Sequence, residues 1–245
     1  KWGDPKNFPW TIGGQPTYQA EGAIYAKHLL KSKPDAKIAI LYQNDDYGKD
    51  YVKGLKDGLK DKAASMIVAE ASYETAEPSI DSQVLKLQSS GANTFFIFAI
   101  PKFAAQSIRK AYDIGWKPLT YLNNVSSGVA AVLQPAGLDK SVGLLSAVYL
   151  KDSHDPQWAN GTDVKQYLDF MKKYAPDADA KDYLNAYGYM QATLLVHMLK
   201  ACGDNLTREN ILKQATNLKN VELPMLLPGI KINTSADDYF IIEQL

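Results

Sequence analysis

Two adjacent carboxylates, Asp45 and Asp46, precede Tyr47 and Gly48 in the run Ala36-Lys-Ile-Ala-Ile-Leu-Tyr-Gln-Asn-Asp-Asp-Tyr-Gly-Lys-Asp50. Paired carboxyls are the residue types of general acid–base work, but that work also needs a nucleophile or metal partner, and none is visible nearby. Their simpler role is to hydrogen-bond the backbone of a turn and to sit near the positive end of the next helix. Tyr47 suits a different chemistry, since a large aromatic in a loop can wall a pocket while its hydroxyl hydrogen-bonds. Other residues of this kind fall at the ends of expected strands: Asn44, Ala99, Ile100, Asn123 and Asn124, with Tyr18 just ahead of the first helix. A few amide and hydroxyl groups among apolar walls is the composition of a small-molecule pocket. A catalytic site would need a group with a tuned pKa.

The motifs of common catalysis and cofactor binding are missing. There is no GxGxxG after a strand, no GxxxxGK[ST], no GxSxG and no HExxH, so no cofactor is expected. The three histidines are His28, His154 and His197, and none has a second metal-ligand type at useful spacing. Each reads as an ordinary surface or satisfied histidine. Cys202 is the single cysteine, which excludes an internal disulfide and reads as a small buried residue at a helix end.

The elements that must position these residues alternate. Ile38–Tyr42 is a short apolar run, expected as a strand buried on both faces. A helix follows over Asp50–Lys62, then a strand over Met66–Ala71 and a helix from about Ser79 to Ser90. Thr94–Ala99 is a second fully apolar strand, and Pro101 opens a helix over Lys102–Ile114. Leu119–Leu122 is a short strand, followed by a helix through Leu133 and an extended run over Val142–Leu150. Ahead of all these, an amphipathic helix begins after Tyr18, with Ala20, Ile24 and Leu29-Leu30 on one side. Strands alternating with helices predict an α/β fold with a parallel sheet covered on both faces. From Asp163 the pattern is mainly helical, over Val164–Tyr174, Tyr183–Ala201 and Thr207–Leu218, with Thr207 as the last N-cap. These helices have few strands beside them. Tyr239–Leu245 reads as a strand at the terminus.

Across 245 residues, Lys+Arg and Asp+Glu are both 27, so net charge is zero and nothing points to nucleic acid or a membrane surface as partner. Hydrophobic residues at 46% and charged residues at 22% are those of a soluble globular protein. No apolar run approaches a membrane span. A signal peptide is not present in the chain, and an exported protein would have lost it.

Several stretches, in order, carry a resemblance: Ile38 to Gly48, Asp81 with the helix to Gly91-Ala92, Phe95-Phe-Ile-Phe98, Ile108-Arg-Lys-Ala-Tyr-Asp-Ile-Gly115, Pro135-Ala-Gly137 and Tyr187-Gly-Tyr-Met-Gln-Ala-Thr-Leu-Leu195. The chain resembles the periplasmic solute-binding proteins of the leucine/isoleucine/valine-binding type, the type I family that serves ABC importers. The resemblance implies two Rossmann-like lobes with parallel sheets, joined by three crossings, with ligand between them and a hinge that closes. It implies that the first lobe is incomplete here. Residues 1–17 would be a remnant of the first lobe and hinge, and 18–145 the second lobe. Residues 146–237 would be the returning part of the first lobe, and 238–245 the third hinge crossing.

Site positions carry over in the same way. Tyr47 matches a family tyrosine that contacts ligand, and Phe98, Ala99 and Ile100 match a cleft-lining segment after a strand. Asn124 falls near the position where amino-acid binders place a carboxylate for the ligand's ammonium. A neutral amide cannot offset the desolvation of a cation as a carboxylate does. That favours an aromatic carboxylic acid over a branched-chain or other amino acid, with both kept open. The resemblance implies a non-enzymatic periplasmic protein whose partners are a small-molecule ligand and an ABC permease in the membrane. A ligand-sensing domain of a receptor or regulator shares the fold and stays as an alternative. An α/β enzyme using Asp45 and Asp46 is the reading from another class.

Overall fold

The apolar run after Lys37 forms β1 (Ile38–Gln43), and every strand beside it runs parallel. The computed structural model describes residues 3–245, so Lys1 and Trp2, the start of the 1–17 segment, lie outside the described residues. The chain divides into two compact units, and the one from Tyr18 to Val148 holds the sheet. Its elements are α1 (Tyr18–Ser32), β1, α2 (Asp46–Leu59), a short α3 (Ala63–Met66), β2 (Ile67–Tyr73), α4 (Asp81–Ser89), β3 (Thr94–Phe98), α5 (Pro101–Asp113), β4 (Leu119–Leu122) and the single turn α6 (Gln134–Ala136). The strand order is β2-β1-β3-β4.

All five residues of β3 are buried, because helices cover both faces of the sheet. Side chains alternate between faces with period two. Ile38, Ile40, Phe96, Phe98 and Tyr121 pack with Tyr25, Leu29, Tyr51, Val52 and Leu55 of α1 and α2. Ala39, Leu41, Phe95, Ile97 and Leu122 pack with Val84, Leu87, Phe103, Ala104 and Ile108 of α4 and α5. Burial on both sides explains the unbroken apolar runs, and each such Phe or Leu contributes about 1.5–3 kcal/mol.

α1 and α2 touch backbone to backbone. A Cβ at Gly54 would lie 2.1 Å from the Gln19 carbonyl oxygen, so no side chain fits there. The close approach turns α1. Its buried residues are Glu21, Gly22, Tyr25, Ala26 and Leu29, while Ala20 is exposed. The buried stripe is therefore rotated by about one residue from the expected Ala20–Ile24–Leu29-Leu30 side.

Two expectations fail locally. Val142–Leu150 forms no strand and makes only isolated bridges, Leu145 with Tyr121 and Leu150 with Leu226. Gly143 at φ +87° turns the chain there, and Val142 is exposed. In place of a regular helix through Leu133, a 3₁₀ turn at Asn124–Ser126 leads to one π-helical turn over Val129–Leu133, closed by the Leu133 N–H on the Gly128 carbonyl.

The second unit comprises residues 3–17 with Tyr149–Leu245. It holds α7 (Thr162–Tyr174), α8 (Tyr183–Cys202) and α9 (Arg208–Ala215). Its core gathers Val164, Tyr167 and Met171 of α7, Met190 and Leu194 of α8, and Met225 and Ile232. Among its described residues there are bridges but no strand. Thr207 caps α9 as expected, accepting the Asn210 N–H at 3.4 Å. The helix stops at Ala215 and not Leu218, because Thr234 takes over the last turn. Its Oγ1 donates to the Ala215 carbonyl at 2.7 Å and accepts the Leu218 N–H at 3.0 Å. The expected terminal strand over Tyr239–Leu245 reduces to one parallel bridge, Phe240 with Gly13. Lys151 reaches Asp163 at 2.7 Å, and the Met225 N–H donates to the same carboxylate oxygen at 3.0 Å.

Candidate functional site

The carboxyl ends of β1, β3 and β4 converge within the sheet unit. After β1, Asp45 caps α2. Its Oδ1 accepts the Gly48 N–H at 3.2 Å and its Oδ2 accepts from Gln43 Nε2 at 2.6 Å. Asp45 thus shapes the turn, the simpler of its two readings, and Asp46 is an exposed residue of the first helical turn. A Cβ on Gly48 would lie 2.1 Å from the Gln43 carbonyl oxygen, so glycine lets α2 start tightly over the end of β1. That start carries Tyr47 inward.

Tyr47, Ala99 and Asn123 form a hydrogen-bonded triangle. The Tyr47 hydroxyl donates to the Ala99 carbonyl at 3.2 Å and accepts from Asn123 Nδ2 at 2.6 Å. The Ala99 N–H donates to Asn123 Oδ1 at 3.1 Å, and Ser126 Oγ donates to the Ala99 carbonyl at 2.6 Å. Alongside, the Ile100 N–H donates to Tyr73 Oη at 3.1 Å, and Tyr73 donates to Gln43 Oε1 at 3.0 Å. Tyr18 meets Tyr47 edge-on with centroids 4.9 Å apart and stacks on Tyr51 at 4.8 Å. Tyr51 stacks in turn on Phe98 at 4.8 Å.

The eight residues singled out from the sequence thus separate. Tyr47, Ala99, Asn123 and Tyr18 come together, with half-buried Ile100 beside them. Phe98, like Ala99 and Asn123, is fully buried, and it lies beneath Tyr51, where it backs the aromatic cluster. Asn124 is buried, with Nδ2 donating to the Ala147 carbonyl at 2.8 Å. Asn44 is exposed and turns away, donating from Nδ2 to Glu74 Oε1 at 2.6 Å. A cavity of about 280 Å³ lies elsewhere, lined by Phe95, Ile97, Tyr112, Trp116, Thr120 and Leu144 toward the amino end of β4, and none of the eight residues borders it.

The residue that sequence reasoning passed over is Glu21. Its carboxyl is buried below the triangle and contacted by Tyr25 Oη at 2.7 Å, Tyr51 Oη at 2.7 Å and the Asn124 N–H at 2.6 Å. Burial pushes its pKa up to about 7, against the pull of those hydrogen bonds. Burial also lifts the Tyr25, Tyr47 and Tyr51 hydroxyls well above the usual tyrosine range, so all three stay protonated. A signal was available in the spacing: Glu21, Tyr25 and Leu29 fall at i, i+4 and i+8, on one helix stripe.

Among the described residues no three His, Cys, Asp or Glu side chains cluster to hold an ion. His28 Nδ1 pairs with Tyr121 Oη at 2.7 Å, and His154 Nδ1 with Ser153 Oγ at 2.8 Å. Cys202 is free and buried. No described helix is long and apolar enough to cross a membrane.

Residues 1–241 match the family model described as periplasmic binding protein, and the chain belongs to that family. Among curated proteins it is similar to Leu/Ile/Val-binding protein homolog 7 of Brucella suis, 27% identical over 154 residues covering 61% of this chain and 37% of that protein. It is also similar to Leu/Ile/Val-binding protein homolog 1 of Brucella abortus, 26% identical over 194 residues covering 77% of this chain and 48% of that protein. The chain therefore spans less than half the length of these relatives. Among solved structures, a substrate-binding periplasmic protein from Ralstonia solanacearum superposes with a TM-score of 0.77 at 22% identity, over 91% of this chain and 61% of that one. A branched-chain amino acid ABC transporter from Thermus thermophilus with bound valine does so with a TM-score of 0.77 at 15% identity, over 91% of this chain and 59% of that one. The fold is that of the type I periplasmic binding proteins.

Proposed function

We propose that the chain is the extracytoplasmic solute-binding component of an ABC importer, and that its ligand is a small aromatic carboxylic acid. In this reading residues 18–145 form one lobe, 146–237 belong to the other, and the protein works in the periplasm with a membrane permease. It captures and releases solute and carries out no chemical conversion. The observation that carries the reading is the Tyr47–Ala99–Asn123 triangle at the strand ends, flanked by Tyr18. Strand ends of open α/β sheets are where such folds bind ligands.

The ligand class follows from charge. An α-ammonium taken out of water needs an anion or several acceptors. The carboxyl of this network, Glu21, is buried and already engaged by two tyrosines and a backbone amide. Asn124, at the expected ammonium position, is neutral and bonded to Ala147. Clustered tyrosine rings suit a flat apolar body.

Titration calorimetry of the full-length protein with 4-hydroxybenzoate, benzoate, leucine and valine tests this. Binding of the aromatic acids alone supports the reading. Binding of leucine or valine keeps the importer and removes the aromatic assignment. Silence from all four, with no thermal stabilisation where a ligand at a hundred times its Kd adds about 2.7 kcal/mol, removes the present ligand class altogether.

A further inference from the structure

The hydroxyl of Tyr25 has one hydrogen and too many acceptors. It lies 2.7 Å from Glu21 Oε1 and 2.9 Å from the Leu122 carbonyl, and it accepts the Ala147 N–H at 3.1 Å. If Glu21 were ionised, that single hydrogen would have to serve both the carboxylate and the carbonyl, leaving one buried acceptor short. One proton removes the conflict. With Glu21 neutral and its hydrogen on Oε1, Glu21 donates to Tyr25 and Tyr25 donates to Leu122. The Asn124 N–H and the Tyr51 hydroxyl donate to Oε1 and Oε2 in either state, and more strongly to the carboxylate.

We propose that Glu21, as the neutral acid, is the positioning residue of the strand-end network, holding the Tyr25 hydroxyl onto the Leu122 carbonyl at the end of β4, and that its ionisation turns that hydroxyl to the carboxylate and frees the carbonyl. What it holds is specific. Leu122 is followed directly by Asn123, whose amide completes the triangle. Tyr51 is sandwiched between Tyr18 and Phe98, and its ring meets that of Tyr47 edge-on at 5.4 Å. The groups facing the carboxyl carry no positive charge. They are Tyr25 of α1, Tyr51 and the more distant Tyr47 of α2, and the Asn124 amide after β4, with Ala147 and Ser146 reaching it only through Tyr25. Among the described residues no Lys, Arg or His hydrogen-bonds to Glu21. Desolvation without a cation favours the neutral form, in agreement with its upward shift to about 7.

The role of Glu21 in binding rests on the proposed ligand reading, whereas its protonation does not. The first measurement is infrared difference spectroscopy of the full-length protein, wild type minus Glu21→Gln. A protonated-carboxyl band present at pH 6 and gone by pH 8.5 is expected. Its absence at pH 6 overturns the proposal. The second is the sign of a shift. In Tyr25→Phe the acceptor of the Glu21 proton is lost, so the band should titrate at lower pH than in wild type. A shift to higher pH means that Tyr25 donates to a carboxylate, and overturns the proposal. The third uses 4-hydroxybenzoate. Its affinity for wild type should fall roughly tenfold or more between pH 6 and 8.5, with near-UV tyrosine circular dichroism changing in parallel, and both should be flat in Glu21→Gln. Equal pH dependence of affinity or dichroism in wild type and variant overturns the positioning role. If 4-hydroxybenzoate does not bind at either pH, the ligand assignment fails, and the infrared and dichroism results still decide the case of Glu21.

Discussion

Glu21 and Asp163 sit in different units, and each accepts a backbone N–H, from Asn124 at 2.6 Å and from Met225 at 3.0 Å. Burial raises the pKa of both, yet they shift in opposite directions from their ordinary values. Around Asp163 the Lys151 ammonium at 2.7 Å and the Met225 amide outweigh burial, and the pKa falls. Around Glu21 the partners are neutral tyrosines and an amide, burial wins, and the pKa rises to about 7. A nearby cation decides whether a sequestered carboxyl stays charged. The sheet unit thus keeps an acid that is neutral below about pH 7 under its strand ends, whereas the helical unit uses an ion pair to tie the start of α7 to the Met225 turn.

The largest expected effect is removal of the Glu21 side chain. Glu21→Ala leaves a void and strips a partner from Tyr25, Tyr51 and the Asn124 amide, and should cost about 3–5 kcal/mol by urea denaturation. A cost below about 1 kcal/mol would break the comparison.

The pH dependence comes next, and its sign differs between the two groups. Glu21 has a raised pKa, so its contribution is fully present below about 4.5 and lost as pH rises through about 7. At 1.36 kcal/mol per unit this is up to about 3 kcal/mol. Urea midpoints of wild type should fall from pH 5 to pH 8, and those of Glu21→Gln should fall less. Asp163 has a lowered pKa, so its contribution is present above the ordinary aspartate value of 3.8 and lost as pH falls through its lower folded value. Asp163→Asn should cost about 1 kcal/mol at pH 7, because the pair is partly exposed and screened, and progressively less as pH falls below the ordinary aspartate value. The smallest effect sharpens the picture inside the sheet unit. Tyr47→Phe removes one donor to Ala99 and one acceptor of Asn123, and should cost about 1 kcal/mol of stability. If the site reading holds, it should also weaken ligand binding in calorimetry.

The sheet was legible because doubly buried strands write themselves as unbroken apolar runs, as at Ile38–Tyr42 and Thr94–Phe98. Helix starts were legible where a side chain caps them, as at Thr207. Extended stretches without neighbours were not: Val142–Leu150 and Tyr239–Leu245 have strand-like composition, but pairing is a property of distant backbone. Glu21 stayed hidden because a glutamate in an amphipathic helix reads as solvent-facing. Its burial depends on Gly22 and Gly54, which let two helix backbones meet and turn α1 by about one residue. The convergence of Tyr47, Ala99 and Asn123 could be anticipated from strand-end placement. That Asn123 spends both ends of its amide on those two residues could not.

The strand order β2-β1-β3-β4 has one more consequence. From β1 the chain winds outward to β2 by way of α2, which lies on one face. It then returns past β1 to β3 by way of α4, on the other face, so the direction of winding reverses between β1 and β3. The loops leaving these two neighbouring strands depart toward opposite layers, which makes this the switch point of the sheet. The hydrogen bond from Tyr47 to the Ala99 carbonyl joins the two loops like a crossbar. In the proposed reading, a ligand at this crossbar would touch the start of α2 on one side and the start of α5 on the other, and so report to both helical layers at once.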